Sequence, residues 1–252
     1  MLISLMYHHI NGDKFSNDLE TFKNHLNYLR ANYHFVVPGE SLDKKKTNLC
    51  LTFDDAYYDF YHYVFPLLKQ YNIKALLAVP TGLIEDTTSA TTKERLYLSH
   101  EEIYKDKQYK KYGTFCTWTE LREMSDSGLV IMASHSHKHK DLAIPSIDLY
   151  QEIVTSKKIL EEQLKTTIDS FILPFGRYNY QSISLLKQHY NYIFKVGQGI
   201  NGDFQGINGL IYRIDADNMK NIKILFGFSK IIKYSLKSLS KSIYDGIQKK
   251  PF

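Results

Sequence analysis

Short apolar runs alternate with amphipathic stretches along the chain. Leu2–Tyr7 predicts a strand, and Leu19–Arg30 a helix opened by Ser16 or Asp18 as its cap. Phe35–Val37 and Leu49–Phe53 read as strands, the second ending at Asp54-Asp55. Tyr58–Tyr71 has helical spacing, and Ala75–Val79 is a strand stopped by Pro80. Thr119–Ser127 predicts a short helix closed by Gly128, with a strand at Leu129–Ser134 behind it. Ile147–Leu164 is a long helix with charged outer positions, and the strand Ser170–Leu173 ends at Pro174-Phe175-Gly176. A helix at Gln181–His189 and strands at Tyr192–Val196 and Leu210–Ile214 complete the series.

Continuous apolar strands alternating with helices predict an α/β fold around a parallel sheet, open or closed into a barrel. Sites in such folds gather at the carboxyl ends of the strands. The polar clusters fall at those ends: Tyr7-His8-His9, Asp54-Asp55, the run from His135 to His139, and Pro174-Phe175-Gly176. Thr81–Gly113 is the one long irregular connection, which suits a lid or substrate-binding insertion (residues 81–113). The chain divides into a body, 1–218, and a basic tail, 219–252.

Composition narrows the class. The chain has 252 residues, 43% of them hydrophobic, with 20 Tyr and 14 Phe, so a sizeable core is expected and global disorder is excluded. Cys50 and Cys116 cannot form a disulfide framework. No apolar run approaches the ~20 residues of a spanning helix, and Met1–Tyr7 lacks the basic start of a signal peptide. A cytoplasmic location is therefore expected. The net charge of +5 is uneven: Met219–Phe252 carries eight lysines and one acid, Asp245, which leaves the body slightly acidic. Nucleic-acid binding would rest on the tail alone and is not expected. Within the tail, Leu225, Phe228, Ile232, Leu236, Leu239, Ile243 and Ile247 form one helical stripe, with Lys230, Lys233, Lys237 and Lys241 opposite. Two readings are open: a helix that packs this stripe on the body, which is favoured, or one that lies on anionic lipid at the inner face of the membrane.

The strand-end residues carry the candidate chemistry. Two adjacent aspartates behind an apolar strand are costly to bury unless partnered. A turn at the strand end can bring both to one site, one holding a cation and the other free as a base; alternatively Asp55 caps the following helix. His135 and His139, at i and i+4, lie on one side if a helix starts after the strand. Two imidazoles and one carboxylate form a common ligand set for a catalytic divalent metal; a solvated polar loop is the plain alternative. His8-His9 shares the same rim.

These residues carry a resemblance. Leu51-Thr52-Phe53-Asp54-Asp55 resembles the first motif of the polysaccharide deacetylases (NodB-homology, carbohydrate esterase family 4), and His135-Ser136-x-x-His139 resembles the second. Pro174-Phe175 is similar to the Pro-Tyr of the third, with Phe for Tyr and without its leading Arg. The run from Phe115 through Trp118 to Leu129 is also similar to that family. Leu5-Met6-Tyr7-His8-His9 resembles the permuted branch that includes the poly-N-acetylglucosamine deacetylases. The resemblance implies a distorted (β/α)7 barrel, the C-terminal basic amphipathic helix being added to it. It also implies removal of N-acetyl groups from an amino-sugar glycan or its precursor in cell-surface polysaccharide biosynthesis. A metal would be held by Asp55, His135 and His139, with Asp54 as base, His8 as acid and the Phe175 backbone N–H on the oxyanion. Tyr7, Trp118 and Pro174 are implied substrate contacts. Zinc is the default ion, and cobalt, nickel or iron also fit. Arg213 or Asp215 is a candidate for tuning the base, although an exposed ion pair is the favoured reading of those two. A nucleotide sugar, a lipid-linked glycan and a short oligosaccharide all remain open as substrates. Competing readings are an inactive, sugar-binding version of the fold and a non-haem iron oxygenase, which also uses two histidines and a carboxylate.

Overall fold

Strand β1 (Leu2–Tyr7) pairs in parallel with both β3 (Asn48–Phe53) and β8 (Ile211–Asp215), and this double pairing closes the sheet. From β3 the sheet continues through β4 (Ala75–Val79), β5 (Val130–Ser134), β6 (Ser170–Ile172) and β7 (Tyr192–Val196) to β8, every pair parallel. The result is the expected (β/α)7 barrel. A two-residue strand, β2 (His34–Phe35), joins the start of β3. This computed structural model describes residues 1–247 except Asp13, Ser99, Tyr104, Asp106 and Lys107; for His100 and 243–247 it describes the backbone alone.

Side chains alternate along each strand, so the barrel has two apolar cores. Leu2, Cys50, Leu76, Ala133, Ile172 and Phe194 fill the interior. Ile3, Leu5, Leu49, Leu51 and Leu77 point outward and pack beneath the helices. Helix α1 (Leu19–Asn32) seats Phe22, Leu26 and Leu29 there, and the Asp18 carboxylate caps it by accepting from the Thr21 N–H at 2.8 Å. A π-helical turn at Phe60–Val64 leads into α2 (Phe65–Tyr71), which ends on a left-handed Asn72.

Several expectations are corrected. The second strand stops at Phe35 rather than running to Val37, because the chain leaves the ladder before Pro38. Asp55 caps no helix; its φ is +72°, and the helical run begins at Tyr58, becoming π-helical at Phe60. No helix follows β5: His135 and His139 lie on a loop with left-handed Ser136 and His139. The 81–113 connection is not irregular. It holds a 3₁₀ turn at Thr81–Leu83 and three short helices: α3 (Thr92–Arg95), α4 (His100–Ile103) and α5 (Gln108–Tyr112). Helix α6 (Trp118–Asp126) follows, capped by Thr117 and Glu120. Arg95 anchors the insertion to α6. It is buried, forks onto both Glu120 oxygens at 2.6 and 2.8 Å, donates to the Gly113 and Phe115 carbonyls, and lies 3.5 Å over the Tyr58 ring.

Helices α7 (Ser156–Leu164) and α8 (Tyr180–His189) cover the next strands. Helix α9 (Phe228–Ile247) docks on the barrel, but not through the stripe expected to face it. Tyr234 is buried, Ile231 packs beside it, and the Ser238 hydroxyl bonds the Ile200 backbone; Lys241 reaches the Gly197 carbonyl over the Tyr212 ring. Leu225 is buried just ahead of the helix, whereas Phe228, Ile232, Leu236 and Leu239 are exposed. The side chains of Ile243 and Ile247, and residues 248–252, lie outside the described residues. Among the described residues, no helix is long and apolar enough to cross a membrane.

Arg95→Ala removes one partner of a buried pair and is expected to cost ~3 kcal/mol, felt mainly in the insertion. Limited proteolysis should show faster cleavage within 81–113. Unchanged cleavage there would show that Arg95 is not the anchor.

Candidate active site

Alternation along β3 sends Phe53 outward and carries Thr52 and Asp54 toward the interior side. Asp54 is buried and meets Arg213, which alternation on β8 brings inside, opposite Ser4 of β1. The guanidinium grips both carboxylate oxygens, Nη1 to Oδ1 at 2.6 Å and Nη2 to Oδ2 at 2.8 Å. Nη1 also donates to the Thr52 hydroxyl at 3.0 Å, and that hydroxyl donates to the Leu5 carbonyl. Burial alone would raise the Asp54 pKa, but Arg213 overrides it and holds the carboxyl well below the usual range. The exposed Arg213–Asp215 pair expected from the sequence is therefore not formed. Arg213 is 1% exposed and neutralises Asp54, while Asp215 accepts the Asp217 N–H at 2.9 Å. A carboxylate inside the barrel needs a nearby cation more than a rim aspartate does.

Left-handed Asp55 (φ +72°) and Ala56 (φ +54°) turn the chain so that the second carboxylate enters the same mouth. Asp55 Oδ1 lies 3.5 Å from His135 Nε2 and 3.4 Å from His139 Nε2, and one ligand atom from each residue falls within 4.8 Å of the others. His135 Nδ1–H donates to the Ile172 carbonyl at 2.8 Å, which leaves the Nε2 lone pair of the neutral ring turned to the carboxylate. Burial, opposed by Asp54 and Asp55, pushes the His135 pKa down to about 4. Burial raises that of Asp55, but His139 and His135 outweigh it and bring it below the usual value. Asp55 Oδ1 is buried and has no hydrogen-bond partner. An unsatisfied carboxylate oxygen facing an imidazole lone pair is what a cation would bridge, so the three residues fit a divalent ion. The Phe175 ring packs on His139 at 4.7 Å. Positive φ at Asp55, Ala56, Ser136, His139 and Phe175 concentrates backbone strain around this mouth.

His8 stands on the other side of Asp54, its Nε2 3.8 Å from Oδ2. Its Nδ1 bonds Asp217 at 2.6 Å, and its backbone N–H donates to the same carboxylate at 3.2 Å. Burial works against a charged His8, but Asp217, then Asp54 and Asp55, raise its pKa to about 9. Burial also raises that of Asp217. The pair therefore carries a proton on His8 at neutral pH. Asp217 was not among the expected residues; its signal was a second carboxylate two positions beyond Asp215, past the end of β8. His9 belongs elsewhere, bonded to buried Asp59 at 2.9 Å and stacked on Tyr57.

The three implied substrate contacts divide. Tyr7 points outward from β1, 0% exposed between Phe22 and Phe53, with its hydroxyl 3.3 Å from His25 Nδ1. Trp118 is buried in the helix-side core at the start of α6. Alternation and helix packing turn both side chains into the apolar layer. Pro174 is also buried, beginning a 3₁₀ turn (Pro174–Gly176) that presents Phe175, 60% exposed and left-handed, at the rim.

The arrangement is three residues that could hold a cation, flanked by an ionised carboxylate and a protonated imidazole. The chain belongs to the polysaccharide deacetylase family, whose profile matches residues 41–192. It is 29% identical over 191 residues to YxkH of Bacillus subtilis strain 168, named for the same family, covering 71% of this chain and 58% of that protein. It is 36% identical over 98 residues to the poly-beta-1,6-N-acetyl-D-glucosamine N-deacetylase of Escherichia coli K12, covering 39% of this chain and 13% of that enzyme. The chain thus spans little over half of the first relative's length and a small part of the second's. The Streptococcus pyogenes deacetylase PplD in complex with acetate has the same fold, with a TM-score of 0.68 at 24% identity over 92% of this chain and 97% of that one.

Arg213→Met leaves Asp54 buried without its partner and should cost ~3–5 kcal/mol in urea unfolding. Asp54→Asn in the same chain should restore much of that loss. A stability equal to the parent's in the single variant would show that the pair does not hold the barrel mouth.

Proposed function

We propose that the protein is a metal-dependent hydrolase that removes N-acetyl groups from an amino-sugar glycan or glycan precursor of cell-surface polysaccharide biosynthesis. The observation that carries this reading is the Asp55–His135–His139 cluster beside the Asp54–Arg213 pair, with the His8–Asp217 pair bringing His8 Nε2 to 3.8 Å from Asp54. The name of the Escherichia coli relative supports an N-acetylglucosamine polymer as the substrate class, free or lipid-linked.

When bound, a divalent ion (zinc by donor type, with cobalt, nickel or iron fitting the same ligands) polarises the N-acetyl carbonyl and acidifies a water. The chain's own residues do the rest. Asp54 takes the proton from that water on its carboxylate; Arg213 keeps the group ionised and fixed in orientation. The backbone N–H of Phe175 is assigned to the developing oxyanion, a role that needs no side-chain hydroxyl. His8, charged at neutral pH, passes its Nε2 proton to the departing amine while Asp217 holds Nδ1. The amide C–N bond breaks, releasing acetate and a free amino sugar. A non-haem iron oxygenase or an inactive sugar-binding protein would have no use for a held base and a charged imidazole together beside the cation site.

Elemental analysis after dialysis against zinc should find about one ion per chain in the parent and almost none in Asp55→Asn or His135→Ala. An empty parent would end the reading. Asp54→Asn should keep its metal yet release acetate from a short N-acetylglucosamine oligomer ~10²-fold more slowly or worse; full turnover would remove Asp54 as base. The acid form of His8 is the active one, so activity should fall as pH rises through about 9. Asp217→Asn removes the carboxylate that favours the charged ring, and the alkaline limb should then move to lower pH by ~1 or more. A limb that stays in place would detach it from His8.

A further inference from the structure

Helix α9 presents three faces, and only one of them is used by the barrel. Ile231, Tyr234, Ser238 and Lys241 form the docked face. Phe228, Ile232, Leu236 and Leu239, spaced by four, four and three residues, form a second row that is 83%, 43%, 62% and 60% exposed. Four large apolar side chains in one continuous helical row differ from the scattered exposed hydrophobics of an ordinary surface. Between these two faces runs a third, of Lys230, Lys233 and Lys237. Helical spacing puts these lysines roughly 140° around the helix from the centre of the apolar row, with Lys233 the nearest to it.

Charge selects what covers the row. From Met219 to Tyr244 the sequence contains no aspartate or glutamate. A second copy packed on the row would bring together two helices whose charges from Met219 to Tyr244 are all positive. A surface with negative headgroups over an apolar interior satisfies both rows at once. The lysine row also borders a groove of about 340 Å³ whose opposite wall includes Asp215 and Asp217, and Asp217 holds the His8 ring. The helix that meets the lipid therefore forms one side of the approach to the catalytic residues.

We propose that α9 is an interfacial helix: its Phe228–Ile232–Leu236–Leu239 row inserts into an anionic phospholipid surface while Lys230, Lys233 and Lys237 meet the headgroups. This brings the mouth of the barrel to the membrane plane and does not depend on which acetylated sugar is cleaved.

The test is flotation of the full chain with vesicles of phosphatidylcholine alone and of phosphatidylcholine with about one third phosphatidylglycerol. The parent should float with the anionic vesicles only, and high salt should weaken that binding. Replacing the row (F228S, I232S, L236S and L239S together) should lower the partition coefficient ~10-fold or more. K230Q, K233Q and K237Q together should lower it ~10-fold on anionic vesicles. Circular dichroism checks that each variant folds, and the lysine variant decides alone if the serine variant does not. Failure of the parent to float, or equal flotation of parent and variants, would overturn the proposal. So would a parent that ignores vesicles yet sediments as a dimer that the serine variant abolishes, since the row would then be covered by a second copy.

Discussion

Two adjacent carboxylates buried at the mouth of a barrel repel each other and lose their hydration, so each must find its own positive partner. The arrangement of this site follows from that requirement. Asp54, carried inward by strand alternation, takes the Arg213 guanidinium from the far side of β1. Asp55, turned by a left-handed backbone, faces two imidazoles and keeps one oxygen unsatisfied. One aspartate is neutralised by the protein; the other is left for a cation. The same division leaves Asp54 doubly held and Asp55 with an open oxygen.

Strand β8 and the turn beyond it organise both flanks. Arg213 reaches across to Asp54, and Asp217 reaches back to His8 at the end of β1. These contacts join the first and last strands at the point where the barrel closes, so closure and site assembly are one event. The positions of His8 and Asp54 then depend on the β1–β8 register, which pairs Ser4 with Arg213 and Met6 with Asp215. A slip of one residue would send Arg213 to the helix layer and leave Asp54 charged and alone. Two of the imidazoles at the mouth are fixed through Nδ1, that of His8 by Asp217 and that of His135 by the Ile172 carbonyl.

The periphery is built differently. The 81–113 insertion is a set of short helices with little core of its own, tied down by the buried Arg95–Glu120 pair. Helix α9 is attached through one narrow face and leaves its apolar row to another surface. Both features place weakly self-sufficient elements beside a rigid barrel, an arrangement common for parts that engage large or membrane-borne ligands.

Local pattern was enough for the strands, most helices, the parallel α/β class and the residue types suited to a metal, since hydrophobic period and residue type are properties of short segments; the barrel followed from the family resemblance. Asp54, Asp55, His135 and His139 were legible because charged and imidazole groups directly behind apolar strands have few uses. The setting of Tyr7 and Trp118 is not legible locally: an aromatic residue beside a motif looks like a pocket wall, and only the facing of β1 and the docking of α6 put both in the core. The burial of Arg213, the pairing of His8 with Asp217 some two hundred positions away, and the outward turn of the α9 stripe depend on contacts between distant segments. Sequence alone determined which groups stand at the strand ends. Closure of the barrel decided which of them meet, because a pair's worth in the interior depends on distance and burial, and both are set by the fold.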